Sequence, residues 1–274
     1  MAFVLESIEE KRMTGVKRNK NILIIALVFI TSCLTKIHAG EHESSFKVRF
    51  DTFRLVDNAR QRDIPVAVYR LKNKKDHNRK IIIFSHGYSY NRGGANLDYS
   101  YLTSYLAEKG YFVISIQHEL STDSLLPLTG NPQVLRRPFW ERGADNILFV
   151  INELKTTHPE LDFRHIILIG HSNGGDMTAL FPQKYPGMVD KIITLDNRRM
   201  ALPVTNHPKV YSIRSSDQPA DEGVLPTIEE QKKFSIKIIR LPNTIHNDMS
   251  DNANTVQRQE IREYILGFLT EIKR

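Results

Sequence analysis

The chain has 274 residues, 38 Lys and Arg against 31 Asp and Glu, 41% hydrophobic residues and a single Cys. This is ordinary globular composition at a length that suits one large domain, and a lone thiol excludes an internal disulfide framework or a Cys-rich metal site, leaving Ser, His, Asp and Glu for catalysis. Of the net charge of +7, +3 falls within residues 1–39, and no basic run interleaved with aromatics follows, so nucleic acid is not the expected partner.

Asn21 to Ile30 (NILIIALVFI) is a continuous apolar run behind Lys17, Arg18 and Lys20. It ends near Leu34, short for a bilayer span of about 20 residues and of the right length for a signal-peptide core. Residues 1–39 therefore read as a signal or anchor, with Met13 as an alternative start. Export is expected, to a periplasmic, secreted or membrane-tethered state. An ordinary cut after Ile37-His38-Ala39 competes with the lipobox-like Ile30-Thr31-Ser32-Cys33, which would leave a lipidated Cys33 as tether; an uncleaved anchor is the third reading.

The folded domain is expected over 45–274. Phe46–Val56 and Ile64–Leu71 alternate apolar and polar residues and are predicted to open the sheet as an antiparallel hairpin. Short apolar runs follow at Ile81–Ser85, Tyr111–Ile116, His165–Ile169, Lys191–Leu195, Val210–Arg214 and Ile236–Leu241, each suited to a strand buried on both faces. Between them helical periodicity is predicted over Leu97–Lys109, Trp140–Leu154 and Asp176–Lys184, with a closing helix over Val256–Ile272. Such alternation predicts a three-layer α/β fold around a mostly parallel, doubly wound sheet.

Gly170-His171-Ser172-Asn173-Gly174 matches G-x-S-x-G between a predicted strand and a predicted helix, the context a nucleophile elbow requires. A turn that strains the backbone at Ser172 needs glycine on both sides. The amide of Asn173, at the start of the following helix, is a candidate oxyanion donor.

On GHSNGG, on His86-Gly87 directly after the strand IIIFS, and on a late His, the chain from Phe46 to Lys273 resembles the alpha/beta hydrolase superfamily, and within it serine esterases similar to platelet-activating-factor acetylhydrolases and dienelactone hydrolases. The resemblance implies a catalytic Ser172 activated by His246, which lies in the loop LPNTIHNDMSD before the closing helix. It implies an acid a few residues past the strand KVYSIR, where Asp217 fits, with Asp221 in the same loop and Asp196 after the preceding strand as alternatives. It also implies a second oxyanion donor at the amide of Tyr88. Tyr88, Tyr90 and His171 are expected to line the substrate site, with His171 packing beside it.

Only Asn197–Pro208 separates two predicted strands where a lid is often inserted, too short for a large lid domain. The chain lacks H-e-x-x-H and EF-hand patterns, so no cofactor and no metal is expected. The function expected is hydrolysis of a small-molecule or lipid-like carboxylic ester through an acyl-enzyme. A peptidase or amidase on the same triad is the alternative, and a non-catalytic binding protein the third.

Overall fold

In the computed structural model, residues 47–72 and 74–271 are described; the signal or anchor segment, with Cys33 and both cleavage sites, lies outside them. The alternating N-terminal stretches form β1 (Val48–Asp57) and β2 (Arg62–Leu71), antiparallel and in unbroken register from Val48 opposite Leu71 to Asp57 opposite Arg62. The six short apolar runs become β3 (Lys80–Ser85), β4 (Phe112–Ile116), β5 (Asp162–His171), β6 (Lys191–Leu195), β7 (Lys209–Arg214) and β8 (Lys237–Arg240). They join in the order β1-β2-β4-β3-β5-β6-β7-β8, with β2 antiparallel to β4 and every later pairing parallel.

The central strands are apolar on both faces because each face is covered. Ile81 and Ile83 of β3 point into one core, Ile82 and Phe84 into the other. The first core is completed by α3 (Arg137–Thr157) and α4 (Asn173–Lys184), the second by α1 (Ser100–Glu108) and α6 (Thr255–Thr270). Helix α6 starts in a capping box between Asn254 and Gln257 and buries Ile261, Ile265, Phe268 and Leu269 at helical spacing. Each such aliphatic side chain removed from water stabilises the fold by roughly 1.5–3 kcal/mol.

Three helices differ in extent from the prediction and two are additional; α4 begins at Asn173, three residues before the predicted Asp176. Helix α1 begins at Ser100 because Ala95–Leu97 is a separate 3₁₀ turn and the Asp251 carboxylate accepts the Ser100 and Tyr101 amides at 2.9 Å. Helix α3 runs three residues beyond the prediction at each end, with Pro138 in its first turn. The short α2 (Pro132–Leu135) and α5 (Ile228–Phe234) bury no residue, so they carry no apolar period to read. No element interrupts residues 196–208 between β6 and β7.

The chain reverses its direction of travel across the sheet between β3 and β5. That crevice, at the carboxyl ends of the strands, is where an open α/β sheet gathers its functional groups.

Candidate active site

Strand β5 ends at His171 and α4 starts at Asn173, leaving Ser172 alone at the corner with φ 52° and ψ −118°. A non-glycine residue holds that conformation only when its surroundings impose it. Here the imposition is steric: a Cβ on Gly170 would lie 2.3 Å from the Gly174 carbonyl oxygen, and one on Gly174 would lie 2.3 Å from that of Ser85. The strand, the helix and the β3 loop close on each other at these two positions, and the turn lifts Ser172 clear.

His246 arrives from a 3₁₀ turn, His246–Met249, after β8. Its Nε2 lies 2.9 Å from the Ser172 Oγ, so it can accept the hydroxyl proton, and its Nδ1–H donates to Asp196 Oδ2 at 2.5 Å. Asp196 is the carboxylate that faces the imidazole. This corrects the expectation for Asp217, whose Oδ1 instead accepts the backbone amide of His246 at 2.7 Å. Asp221 is farther away in role, paired with Arg199 at 3.0 Å. Strand β7 does end at Arg214 as predicted, so the difference does not arise from a misplaced strand end. It arises because Asp196, directly after β6, adopts φ 55° and turns its carboxylate across the end of β7.

There Asp196, fully buried, receives the Ser215 amide at 3.0 Å, the Ser215 hydroxyl at 2.7 Å and an Arg214 guanidinium contact at 3.0 Å, besides the imidazole. Burial alone would raise its pKa, but the hydrogen bond from His246, the Arg214 charge and the Ser215 donors outweigh it and hold the carboxyl below its usual value. Arg214 and Ser215 carry no sequence signal for this task, since their role exists only once β6 and β7 are paired.

The amides of Tyr88 and Asn173 both lie beside Ser172 in sequence or across the β3–β5 crevice, and neither is engaged in a hydrogen bond among the described residues. The Tyr88 hydroxyl accepts the Leu126 amide at 3.1 Å, and its ring meets that of the exposed Tyr90 at 5.2 Å. The loop after β3 is thereby fastened to the segment after β4.

The structure places His171 at the end of β5, next to Ser172 and inside the protein. It is buried with both ring nitrogens occupied: Nδ1 accepts the Tyr99 hydroxyl proton at 2.7 Å and Nε2–H donates to the His246 carbonyl at 3.1 Å. The same Tyr99 oxygen accepts the Gly87 amide at 3.0 Å. A single chain of donors therefore runs from the β3 loop through Tyr99 and His171 to the His246 loop. Burial, and then the proximity of His246, lower the His171 pKa to about 3, which keeps its imidazole neutral at working pH.

Among the described residues no cluster of three or more His, Cys, Asp or Glu side chains is arranged to hold a metal, and no helix is long and apolar enough to cross a membrane. A cleft of about 1260 Å³, lined by Lys80, Tyr111, Lys209 and Lys237, opens at the amino ends of the strands, the end of the sheet opposite Ser172.

No protein-family model and no curated protein matches the chain in sequence. Solved structures do match in fold. A dienelactone hydrolase-like promiscuous phosphotriesterase from metagenomic libraries superposes with a TM-score of 0.60 at 13% identity, covering 82% of this chain and 98% of that one. The esterase Est22 gives 0.59 at 12% identity over 83% of each chain. An acylaminoacyl peptidase gives 0.60 at 14% identity over 82% of this chain and 42% of the larger one. The chain has the alpha/beta hydrolase fold. In this alpha/beta hydrolase fold the antiparallel hairpin β1–β2 extends one edge of the sheet, and Ser172, Asp196 and His246 follow β5, β6 and β8 at its carboxyl end.

Proposed function

We propose that the protein is a serine hydrolase that cleaves carboxylic esters through an acyl-enzyme on Ser172. The observation that carries this reading is the unbroken line from the Ser172 Oγ through the His246 imidazole to the Asp196 carboxylate, 2.9 and 2.5 Å, set on a strained elbow. His246 Nε2 takes the hydroxyl proton as Ser172 Oγ attacks the ester carbon, and Asp196 holds the tautomer and stabilises the imidazolium. The amides of Tyr88 and Asn173 receive the developing oxyanion, assisted by the amino-terminal end of α4. His246 then returns the proton to the departing alkoxide. It next deprotonates a water that attacks the acyl carbon, and collapse frees the acid and restores Ser172.

The test is covalent labelling. A fluorophosphonate is expected to modify Ser172 of the wild type and to leave Ser172→Ala unlabelled; an unmodified Ser172 in the folded wild type overturns the reading. A panel of p-nitrophenyl esters of graded acyl length beside aminoacyl anilides then separates esterase from peptidase, which shares the triad. The acyl-side wall is formed by Tyr88, Tyr90 and the segment after β4, and the substrate class proposed is a small or lipid-like ester. Export through residues 1–39 belongs to the same proposal. It rests on Lys17, Arg18 and Lys20 before NILIIALVFI, and mass spectrometry of the mature protein tests it: a diacylated start at Cys33 or a start at Gly40 supports export, an intact amino terminus in the cytosol refutes it.

A further inference from the structure

One buried carboxyl at the site has no part in the line of Ser172, His246 and Asp196. Glu119 follows β4, is 2% exposed, and accepts the Asn173 side-chain amide on Oε1 at 2.8 Å. The other end of the Asn173 side chain is held as firmly: its Oδ1 accepts the indole N–H of the fully buried Trp140, on α3, at 2.9 Å. Asn173 thus has its carboxamide pinned between α3 and the β4 loop, directly above the backbone amide that follows the nucleophile.

The same short segment also holds the other side of the crevice. The His118 amide donates to His86 Nε2 at 3.0 Å, and His86 Nδ1–H donates to the Gly87 carbonyl at 2.7 Å, the peptide immediately before Tyr88. His118 Nε2 meets the Ser85 hydroxyl at 2.9 Å. With its Nε2 taken by the His118 amide, His86 makes no hydrogen bond to Glu119, whose Oε2 lies 3.5 Å away and has no hydrogen-bond partner among the described residues. Burial pushes the Glu119 carboxyl above its usual range.

We infer that Glu119 is a positioning residue, which through the Asn173 carboxamide fixes the spacing of the two oxyanion donors. This rests on the proposed acyl-enzyme reading. It deepens that reading by assigning the placement of the oxyanion amides to side chains outside the triad. A buried bond of this kind acts on geometry, and a small displacement of an oxyanion donor costs most where charge develops in the transition state. What Asn173 needs from position 119 is an acceptor oxygen, which an isosteric amide also supplies.

The test compares Glu119→Ala, Glu119→Gln and Asn173→Ala with the wild type on a p-nitrophenyl ester and on a trifluoromethyl ketone, which adds to Ser172 and forms a tetrahedral oxyanion. Glu119→Ala and Asn173→Ala are expected to lower kcat by about 10- to 100-fold with KM within about threefold, and to raise the Ki of the ketone in parallel. Glu119→Gln is expected to stay within about threefold of wild type on all three measures. Should Glu119→Ala fail to fold, Asn173→Ala reads the same bond from its other end. Wild-type kcat and Ki in Asn173→Ala, a loss carried by KM alone, or a Glu119→Gln that folds yet is as impaired as the alanine variants each overturn the inference. Its failure is distinct from failure of the underlying reading, because the wild type would still be labelled at Ser172 by the fluorophosphonate.

Discussion

Asp196 and Asp217 both touch His246, one at the ring and one at the backbone, and the difference is measurable. Asp196→Asn keeps the size of the side chain but favours the wrong imidazole tautomer, so kcat at neutral pH is expected to fall by something on the order of 10⁴. Asp217→Asn retains an oxygen that can accept the His246 amide and is expected to cost less than about tenfold; steady-state kinetics of the two variants decides between them. Ser172→Ala and His246→Ala are each expected to keep the fold and to retain under about one per cent of kcat. Tyr99→Phe tests the buried chain behind the site. It strands the Gly87 amide and the His171 Nδ1 without their common partner, and is expected to cost about 1–3 kcal/mol in chemical denaturation and to lower kcat as well. The reason Ser172 stands out in the sequence is that the elbow leaves a local mark: two glycines four residues apart flank it, Gly170 required by the following helix and Gly174 by the Ser85 and His86 carbonyls at the end of β3. Asp196 does not stand out, because its turn toward His246 depends on Ser215 and Arg214, 19 and 18 positions on, which no spacing rule connects to it.

At the scale of elements, the strands are the readable part. The runs predicted for β3 to β8 agree with the observed strands to within a residue or so at most ends, with β5 longer at both, because strands buried on both faces must be apolar throughout and are bounded by polar turns. Helices α2 and α5 escape that logic, since both lie on the surface; α5 is announced only by the Thr227 and Glu230 capping box. Tyr99, Glu119 and Trp140 were equally silent, as each reaches its partner across the sheet order and not along the chain. The tight junction of β5, α4 and the β3 loop makes its own prediction. Gly174→Ala would force a methyl group against the Ser85 and His86 carbonyl oxygens, at 2.3 and 2.4 Å, so the loop must move. A loss of at least about 1–3 kcal/mol is expected in urea denaturation, accompanied by loss of hydrolysis; an alanine variant of wild-type stability and activity would show that the junction is looser than described.

For the whole molecule, the buried neutral His171 sets a pH dependence whose sign is fixed. Its pKa is lowered to about 3 in the folded protein against about 6.5 in the unfolded chain. Between those values the unfolded state binds more protons, so this residue makes stability fall as pH falls, by up to about 1.4 kcal/mol per pH unit once well below 6.5. Other buried groups titrate in the opposite sense. Asp176, raised to about 6 by burial despite the Met200 and Arg199 amides it accepts, takes up a proton more readily in the folded state. The contribution of His171 is therefore best isolated by difference. His171→Gln is expected to be less stable than wild type at pH 7, and that deficit is expected to shrink as pH is lowered from 6.5 toward 4; a deficit constant with pH would contradict the neutral, buried imidazole.

The order β4-β3-β5 has a consequence for any attempt to divide the enzyme. Everything through α3, up to Thr157, supplies the Tyr88 amide, Glu119 and Trp140, while everything from β5 onward supplies Ser172, Asn173, Asp196 and His246. The two portions meet along the β3–β5 seam, and neither holds a complete site. On the proposed reading, hydrolysis is thus a reporter of whether that seam is shut: a nick at the α3–β5 connection that leaves the portions associated should spare turnover, and separating them should silence it without any contact among Ser172, His246 and Asp196 being touched.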